Sequence, residues 1–295
     1  MVIAIVTILT LTSVGLFGLL VVTAHRRQVK LNGREFGIGV GIGAVTDFLD
    51  TLGIGSFVTT TAIFQATHYL KDERKLPGTL NTGHAIPTAV EALFFVTTVK
   101  VEAWTLISLV LAAAIGAVLG SEVMVKLNQR RIQLIMAGAL VVTAILMAAK
   151  LAGWISLLGI ANHATSLRGW PLAIGIVGNF ILGLLMSAGV GLYAPCMVMV
   201  YFLGLTPIAA FPIMMLSCAL LMPSSALNFI RRDRVDYRGL FGIILGGIIG
   251  VILAATVVKS LSLTAISWLI VCVSLWTAQS LWRAAVRTRS GMSAN

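Results

Sequence analysis

Long apolar runs, separated by short clusters of basic residues, recur along the whole of this chain. Hydrophobic residues make up 58% of its 295 residues and charged residues only 11%. Soluble globular domains carry about 25% charged residues, and one core of this size cannot hide so many apolar side chains. The pattern excludes a soluble enzyme, a disordered chain, a coiled coil and a secreted disulfide scaffold. It predicts a protein that crosses a bilayer many times.

The formal net charge of +11 is explained by topology rather than by nucleic-acid binding. The basic residues lie almost entirely between apolar runs, where they would contact anionic lipid headgroups. The three cysteines, Cys196, Cys218 and Cys272, stand inside apolar runs without metal-ligand or disulfide spacing. We therefore expect the lipid bilayer as a partner, no nucleic acid, no metal, and no cofactor beyond a coupling ion.

The first apolar run, about residues 3 to 24, has no basic residue before it and four directly after it, from Arg26 to Arg34. A secretory signal peptide carries its positive charge in front, so this run predicts a retained helix with its N-terminus outside. Six further runs are about one span long. They are 83–98, 103–125, 132–149, 212–230, 239–258 and 262–282.

Two other runs are too long for one crossing, and each contains a central Gly-X-Gly. They are 36–70, with Gly53 and Gly55, and 171–203, with Gly189 and Gly191. A straight helix over the first run would measure about 50 Å, well over the roughly 30 Å hydrocarbon core. Each run predicts a helical hairpin that turns back at membrane depth, where protein or a water-filled cavity must satisfy the turn.

The two hairpins open the two halves of an internal repeat. A shift of 134 to 137 residues places 49–64 on 185–201 and aligns prolines, acidic residues and a glycine after them in the same order. We divide the chain into an N-terminal helix and basic loop (1–35), repeat 1 (36–158), an extracytoplasmic linker (159–170) and repeat 2 with a cytoplasmic tail (171–295).

Positive charge predicts the relative orientation of the repeats. With two hairpins, the loops predicted inside and the C-terminal tail hold 17 of the 21 Lys and Arg, and only Lys100, Lys150, Arg168 and Lys259 fall elsewhere. Each repeat then crosses three times, so the second is inverted. The expected fold is an all-α polytopic membrane protein of two inverted repeats, each a broken-helix hairpin plus three transmembrane helices, after one extra helix. Secondary transporters are built on this plan.

The second half-helix of each hairpin would point unpaired amides into the middle of the membrane. Two such N-termini converging from opposite faces form a site for a small anion without a buried Lys or Arg. The candidate substrate-binding residues are Ser56, Thr59, Thr60, Asn81, Thr82, His84, Tyr193 and Cys196. The alternative is that the glycine turns are packing kinks and the threonines bond to carbonyls of their own helix.

Ionisable residues inside apolar runs are costly in lipid and mark functional sites. Asp47 and Asp50 share a face at the negative end of the first half-helix, so we expect at least one to be protonated at rest or to hold a cation. Together with Glu91 they are the candidate coupling residues for H+ or Na+. The alternatives are that Asp50 caps a turn amide, that Asp47 bonds to a neighbour, and that His84 has a capping or packing role rather than relaying protons.

Five motifs carry a family resemblance over nearly the whole chain after the first 24 or so residues. They are GIGVGIG (37–43), DFLDTLGIGSFVTTTA (47–62), PGTLNTGH (77–84), GLTP (204–207) and RRDRVD (231–236). On these motifs the sequence resembles the sulfite exporter TauE/SafE family of bacterial membrane permeases. The resemblance implies an inner-membrane carrier for small sulfur oxyanions or organosulfonates, such as sulfite or sulfoacetate, commonly exported.

We thus expect an ion-coupled transporter of a small sulfur-containing anion rather than an enzyme. It would be a multi-pass protein of the bacterial inner membrane with a cytoplasmic C-terminus, and a homodimer is one candidate assembly. The alternatives are an uptake permease for thiosulfate or another oxyanion, a passive channel and, remotely, an intramembrane hydrolase with Ser56 as nucleophile and His84 as base. Thiosulfate-importing members use several cysteines along the path, whereas Thr60 stands opposite Cys196 here.

Overall fold

The computed structural model describes residues 2–30, 32–52, 54–96, 101–154, 162–189, 191–206, 209–257 and 264–292. Over these ranges the chain is helical and forms no β-strand beyond one bridging pair, Ala164 and Leu205. The first half contains α1 (Val2–Arg26), α2 (Gly33–Thr51), α3 (Ser56–Thr67), a 3₁₀ turn (Glu73–Lys75), α4 (Leu76–Gly83), α5 (Ala85–Val96), α6 (Ala103–Lys126) and α7 (Gln129–Leu151). The second half contains α8 (Trp170–Met186), α9 (Tyr193–Phe202), α10 (Ala210–Arg231), α11 (Leu240–Val257) and α12 (Thr264–Met292).

Four helices are long and apolar enough to cross a membrane by length and composition: α1, α6, α7 and α10. The helices α8 and α11 are apolar but shorter. Large apolar side chains are exposed along α6, among them Trp104, Ile115 and Val123. Such surfaces mark contact with lipid or protein rather than water. The described chain is therefore consistent with the helical membrane protein that the composition predicts.

The extents of two helices differ from the sequence-based expectation. Residues 71–82, expected to form a loop, contain α4, so Asn81 and Thr82 lie inside a buried helix. Pro77 is tolerated in the first turn of α4 because the amide it lacks would have no partner there. The last helix continues to Met292, well past the apolar run, because Ala and Arg in the tail favour helix. The predicted boundary at 158 lies outside the described residues.

The segment formed by α2 and α3 has its two ends close together. A Cβ atom at Gly239 would lie 2.6 Å from the carbonyl oxygen of Glu35, at the start of α2, and would collide with the hydroxyl of Tyr69, just after α3. The Tyr69 hydroxyl donates to the carbonyl of Arg238 at 2.9 Å. The turn between the helices uses Gly55 at φ +92°, a conformation that suits glycine.

The segment formed by α8 and α9 also returns to where it began. Asn162, before α8, donates from Nδ2 to the carbonyl of Tyr201 at 2.6 Å, near the end of α9. The amide of Thr206 donates to the carbonyl of Ala164 at 2.8 Å. Gly189, at φ +95°, lies in the turn between the two helices. Each of the two long apolar runs is therefore folded back on itself.

Helices from the two halves are interleaved. Helix α2 packs along α11 and α6 along α8, while α3 contacts α12, α9 contacts α7, and α5 contacts α10. The first two pairs approach closely at glycines, since a Cβ at Gly43 would collide with the carbonyl of Ile243 and one at Gly116 with that of Phe180. Every one of these pairs takes one helix from each half.

The basic loops lie together at one end of the molecule. Asp233, in the loop before α11, forms ion pairs with Arg27 after α1 and with Lys75 before α4, the latter at 3.7 Å. Arg234 in the same loop donates to the carbonyl of Val125 at the end of α6, at 2.8 Å. Four of the loops predicted to face the same side of a membrane therefore share one end.

Candidate functional site

The turn between α2 and α3 is held by a carboxyl group placed at a helix N-terminus. Asp50 Oδ1 accepts a hydrogen bond from the backbone N–H of Ser56 at 2.9 Å, and Oδ2 accepts one from the Ser56 hydroxyl at 2.8 Å. Both side chains are buried. An acidic group suits this position, because the helix dipole is positive at its N-terminus. One amide at the start of α3 thus already has an acceptor from the chain itself.

A second buried cluster joins α2, α3 and the junction between α4 and α5. Both carboxyl oxygens of Asp47 lie 2.9 Å from Nδ1 of His84, and Nε2 of His84 lies 2.9 Å from the hydroxyl of Thr60. None of the three residues is more than 1% exposed. His84 occupies the break between α4 and α5. This geometry fixes the ring orientation and provides a hydrogen-bonded path for one proton across the three side chains.

The alignment of the two halves matches Thr60 of this cluster to Cys196, and the cluster around Cys196 is built from neutral groups. Asn179 of α8 donates from Nδ2 to the carbonyl of Leu109 at 2.7 Å and to the hydroxyl of Ser217 at 2.9 Å. The Sγ atom of Cys196, which the shift between the halves aligns with Thr60, lies 3.8 Å from Oδ1 of Asn179. This cluster ties α8 to α6, α9 and α10 without an ionisable pair.

The turns of both folded-back segments line one cavity of about 40 Å³. The first turn contributes Asp50, Gly55 and Ser56, and the second contributes Gly191 and Leu192. The other lining residues are Ile54, Phe57, Val58, Thr143, Met147, Lys150, Met186, Met197, Phe211, Met214 and Met222. At roughly 10–15 Å³ for each water, this cavity has room for about three. Its walls are mostly apolar, with few polar groups.

Of the predicted substrate-binding residues, Ser56 is the one found among the lining residues of this cavity. Thr59 bonds to carbonyls within its own helix, those of Gly55 at 3.2 Å and Ser56 at 3.0 Å, as the alternative interpretation described. Thr60 and His84 belong to the Asp47 cluster, and Cys196 to the Asn179 cluster.

The remaining predicted residues lie elsewhere in the protein interior. Asn81 donates to the carbonyl of Pro77 at 2.9 Å and accepts from the hydroxyl of Ser225 at 2.9 Å, so it links α4 to α10. Thr82 is buried on α4, and its hydroxyl has no hydrogen-bond partner among the described residues. Glu91 is buried on α5. Gly53 and the side chain of Tyr193 lie outside the part of the chain that the structure describes.

Helix α7 supplies three lining residues that the motifs do not indicate: Thr143, Met147 and Lys150. Their spacing of four and then three residues places them on one helical face. Lys150 had a signal in the sequence, since it is one of the four basic residues outside the loops predicted inside. Thr143 had none, because a threonine in an apolar helix is common and usually bonds to its own backbone.

Comparisons with known proteins do not assign the chain to a family. No family model, no curated protein and no solved structure matches it. Within the ranges that the structure describes, no three His, Cys, Asp or Glu side chains are grouped so as to hold a metal ion. The function is therefore inferred from the site and from the sequence.

Proposed function

We propose that this protein is a secondary transporter of a small anion, and that its two folded-back segments are hairpins that re-enter the membrane. The observation that carries the proposal is the shared cavity, because residues from both turns line it. Broken helices that meet at a common site are the plan on which several transporter folds bind their substrate and coupling ion.

The packing of the helices supports two equivalent repeats, and the positive charge in the loops predicts that the second is inverted. Exchanging the halves replaces α2 by α8, α3 by α9, α6 by α11 and α7 by α12. This exchange turns the α2–α11 pair into the α8–α6 pair and the α3–α12 pair into the α9–α7 pair, and all four are contacts in the structure. The alignment of the halves in sequence is thus matched by reciprocal contacts.

The end that carries the basic loops is assigned to the cytoplasm. Lys and Arg accumulate in cytoplasmic loops of membrane proteins, and Arg27, Lys75 and Arg234 meet at this end. We accordingly place the C-terminus inside, the N-terminus outside, and the protein in a bacterial inner membrane.

The substrate class follows from the sequence resemblance to sulfite exporters. We propose sulfite or a small organosulfonate such as sulfoacetate, with export as the physiological direction. Because the cavity holds only about three waters by its volume of about 40 Å³, an organosulfonate needs the two turns to separate before it enters. Alternating access would then involve a movement of one hairpin against the other.

The coupling ion is assigned to the polar groups of the first hairpin. Asp50 lies at the cavity. The hydrogen-bonded Asp47 and Thr60 belong to the same segment, and His84 lies at the junction between α4 and α5. A buried histidine between a carboxyl and a hydroxyl suits a proton more than a sodium ion, since sodium would require several oxygen ligands. We therefore propose proton coupling through these residues.

Flux measurements in proteoliposomes test the transporter. We expect saturable sulfite flux that responds to an imposed pH gradient, and we expect Ser56→Ala to reduce it at least several-fold. Thr256→Val is the matched control, because the Thr256 hydroxyl is exposed and bonds to the carbonyl of Ile252 in its own helix. Linear, non-saturating conductance would indicate a channel, and absent flux of every sulfur anion would contradict a transporter of this class.

A second candidate function is that of an intramembrane hydrolase. The order of contacts at Thr60, His84 and Asp47 favours it. Hydroxyl, imidazole and carboxyl follow one another as nucleophile, base and orienting group do in hydrolases. Thr60 is only 1% exposed, which opposes attack on a substrate. Ser56 bonds to Asp50 rather than to His84. Covalent labelling of Thr60 by a fluorophosphonate would support the hydrolase; we expect none.

A further inference from the structure

We propose that Lys150 and Thr143, on one face of α7, bind the anion in the cavity between the two turns. This inference rests on the proposed function and deepens it, because it names a cation and a hydroxyl that would hold a small oxyanion. Neither residue belongs to the motifs that carry the family resemblance, and neither was a candidate from the sequence.

Lys150 brings a positive charge to a largely apolar cavity. It is half-buried in the last turn of α7 and lines the cavity together with Asp50 and Ser56. In the described part of the chain, no acidic side chain lies within 4.0 Å of its ammonium group. A partly buried cation without an acidic partner within 4.0 Å is costly, and an anion in the cavity would offset that cost.

Thr143 supplies an independent observation at the same cavity. It is 7% exposed, and its hydroxyl has no hydrogen-bond partner among the residues described. Threonines in helices usually bond to a carbonyl one turn back, as Thr46 and Thr59 do here. Thr143 lines the cavity, and a buried hydroxyl without a partner among the described residues is a donor available to a ligand.

Repulsion from Asp50 favours a position of the anion close to Lys150 and Thr143. Both carboxyl oxygens of Asp50 are engaged by Ser56, and like charge would keep an oxyanion away from that carboxyl when it is ionised. Lys150 and Thr143 are seven residues apart on one helical face, about 10 Å along the axis, with Met147 between them. The apolar walls lower the local dielectric and strengthen a charge-assisted hydrogen bond to Lys150.

The size of the cavity limits the ligand to a compact oxyanion in this conformation. A volume of about 40 Å³ has no room for an extended organosulfonate. We therefore infer that sulfite and ions of similar size bind between Lys150 and Thr143, and that larger sulfonates place only their headgroup there after the turns separate.

Sulfite-dependent thermal unfolding of purified protein, at constant ionic strength, tests this site. Binding to the folded state raises the melting temperature, and its dependence on sulfite concentration yields an affinity. We expect Lys150→Met to weaken sulfite affinity about 10- to 100-fold and Thr143→Val about three- to tenfold, from the range for charged and neutral hydrogen bonds. Lys150→Arg should stay within about threefold of the wild type, because the charge is kept.

The matched control is Lys126→Met, at the end of α6 and absent from the lining of the cavity. We expect it to bind sulfite as the wild type does. Wild-type affinity in both Lys150→Met and Thr143→Val would overturn the α7 site and leave the transporter standing. If Lys150→Met does not fold, the sulfite affinities of Lys150→Gln and Thr143→Val replace it. Wild-type affinity in both of these variants would likewise overturn the α7 site. A wild-type protein with neither sulfite binding nor flux of any sulfur anion would overturn both.

Discussion

The two folded-back segments share a backbone plan but differ in the chemistry of their turns. The first turn carries Asp50 and Ser56, joined by two hydrogen bonds. In the alignment of the halves, Met186 and Leu192 stand at these positions in the second turn, and they line the same cavity. Behind the second turn, Asn179 binds neutral groups. One segment therefore carries ionisable side chains, and the other completes the cavity with apolar ones.

This difference indicates which segment would respond to the coupling proton that we propose. Only a group that changes its charge or its hydrogen bonds can respond to a proton, and among the described residues of the two segments these groups are concentrated in the first. The second segment contributes shape, an apolar wall and the Asn179 cluster. Two segments with the same helical plan therefore need not have the same chemistry.

The largest expected difference between the segments concerns the removal of the acidic group at the first turn. Asp50→Leu leaves the amide and hydroxyl of Ser56 buried without their acceptor, so we expect a loss of about 2–4 kcal/mol in the free energy of unfolding. The matched change in the second turn, Met186→Leu, should cost less than about 1.5 kcal/mol. Unfolding in denaturant, followed by tryptophan fluorescence, measures both; equal losses would remove the distinction between the turns.

The next largest effect concerns the coupling of sulfite flux to a pH gradient. Asp47→Asn keeps a similar shape but removes the ionisable group beside His84, so we expect sulfite flux driven by a pH gradient to fall at least tenfold. Flux driven by a sulfite gradient alone should be largely kept. Asn179→Ser, in the second segment, should leave the response to pH intact. Gradient-driven flux that survives in Asp47→Asn would place the coupling elsewhere.

A third test addresses a feature that the two segments share, the close packing of their first helices against a neighbouring helix at glycines. A Cβ at Gly43 would collide with the carbonyl of Ile243, and one at Gly183 with that of Ala113. We expect Gly43→Val and Gly183→Val to destabilise the protein by similar amounts, about 1–3 kcal/mol each, by forcing their helix pairs apart. Gly138→Val is the control, because no atom beyond its own stretch of helix lies within 4 Å of a Cβ at that position. Losses confined to one of the two interfaces would argue against equivalent packing.

The smallest effect is expected from an exchange of the aligned residues Thr60 and Cys196. Cys196→Thr changes only a weak contact at 3.8 Å to Asn179, so stability should change by less than about 1 kcal/mol and flux by less than about threefold. Thr60→Cys replaces the hydroxyl that bonds to His84 and should reduce proton-driven flux more than Cys196→Thr does. The opposite order would reverse the assignment of roles.

Much of the helical framework was predictable, because apolar length and glycine breaks are local signals. The positions of α6, α7, α10 and α11 follow the apolar runs within about three residues. Helix α4 was missed because its polar composition, around Thr79 and Asn81, matches that of a loop. Its burial depends on contacts with α10 and α11, which are distant in sequence.

The candidate site was predictable in its members more than in its contacts. Burial cost singles out Asp47, Asp50 and His84, but their partners depend on how separate helices meet. His84 lies 37 residues from Asp47, and only the fold brings the two together. Lys150 breaks the charge pattern and could have been selected on that ground, whereas Thr143 becomes notable only once its hydroxyl is seen to lack a partner.

Cross-linking between the two turns tests the central claim most directly. In a variant with Cys196, Cys218 and Cys272 replaced by alanine, Ile54→Cys and Leu192→Cys place one thiol at each turn. Because both positions line the same cavity, we predict rapid intramolecular linkage by a short bifunctional thiol reagent in membranes. Ile54→Cys paired with Gly15→Cys on α1 should not link. Thiols at 54 and 192 that each react singly with the reagent but never link would contradict a shared cavity.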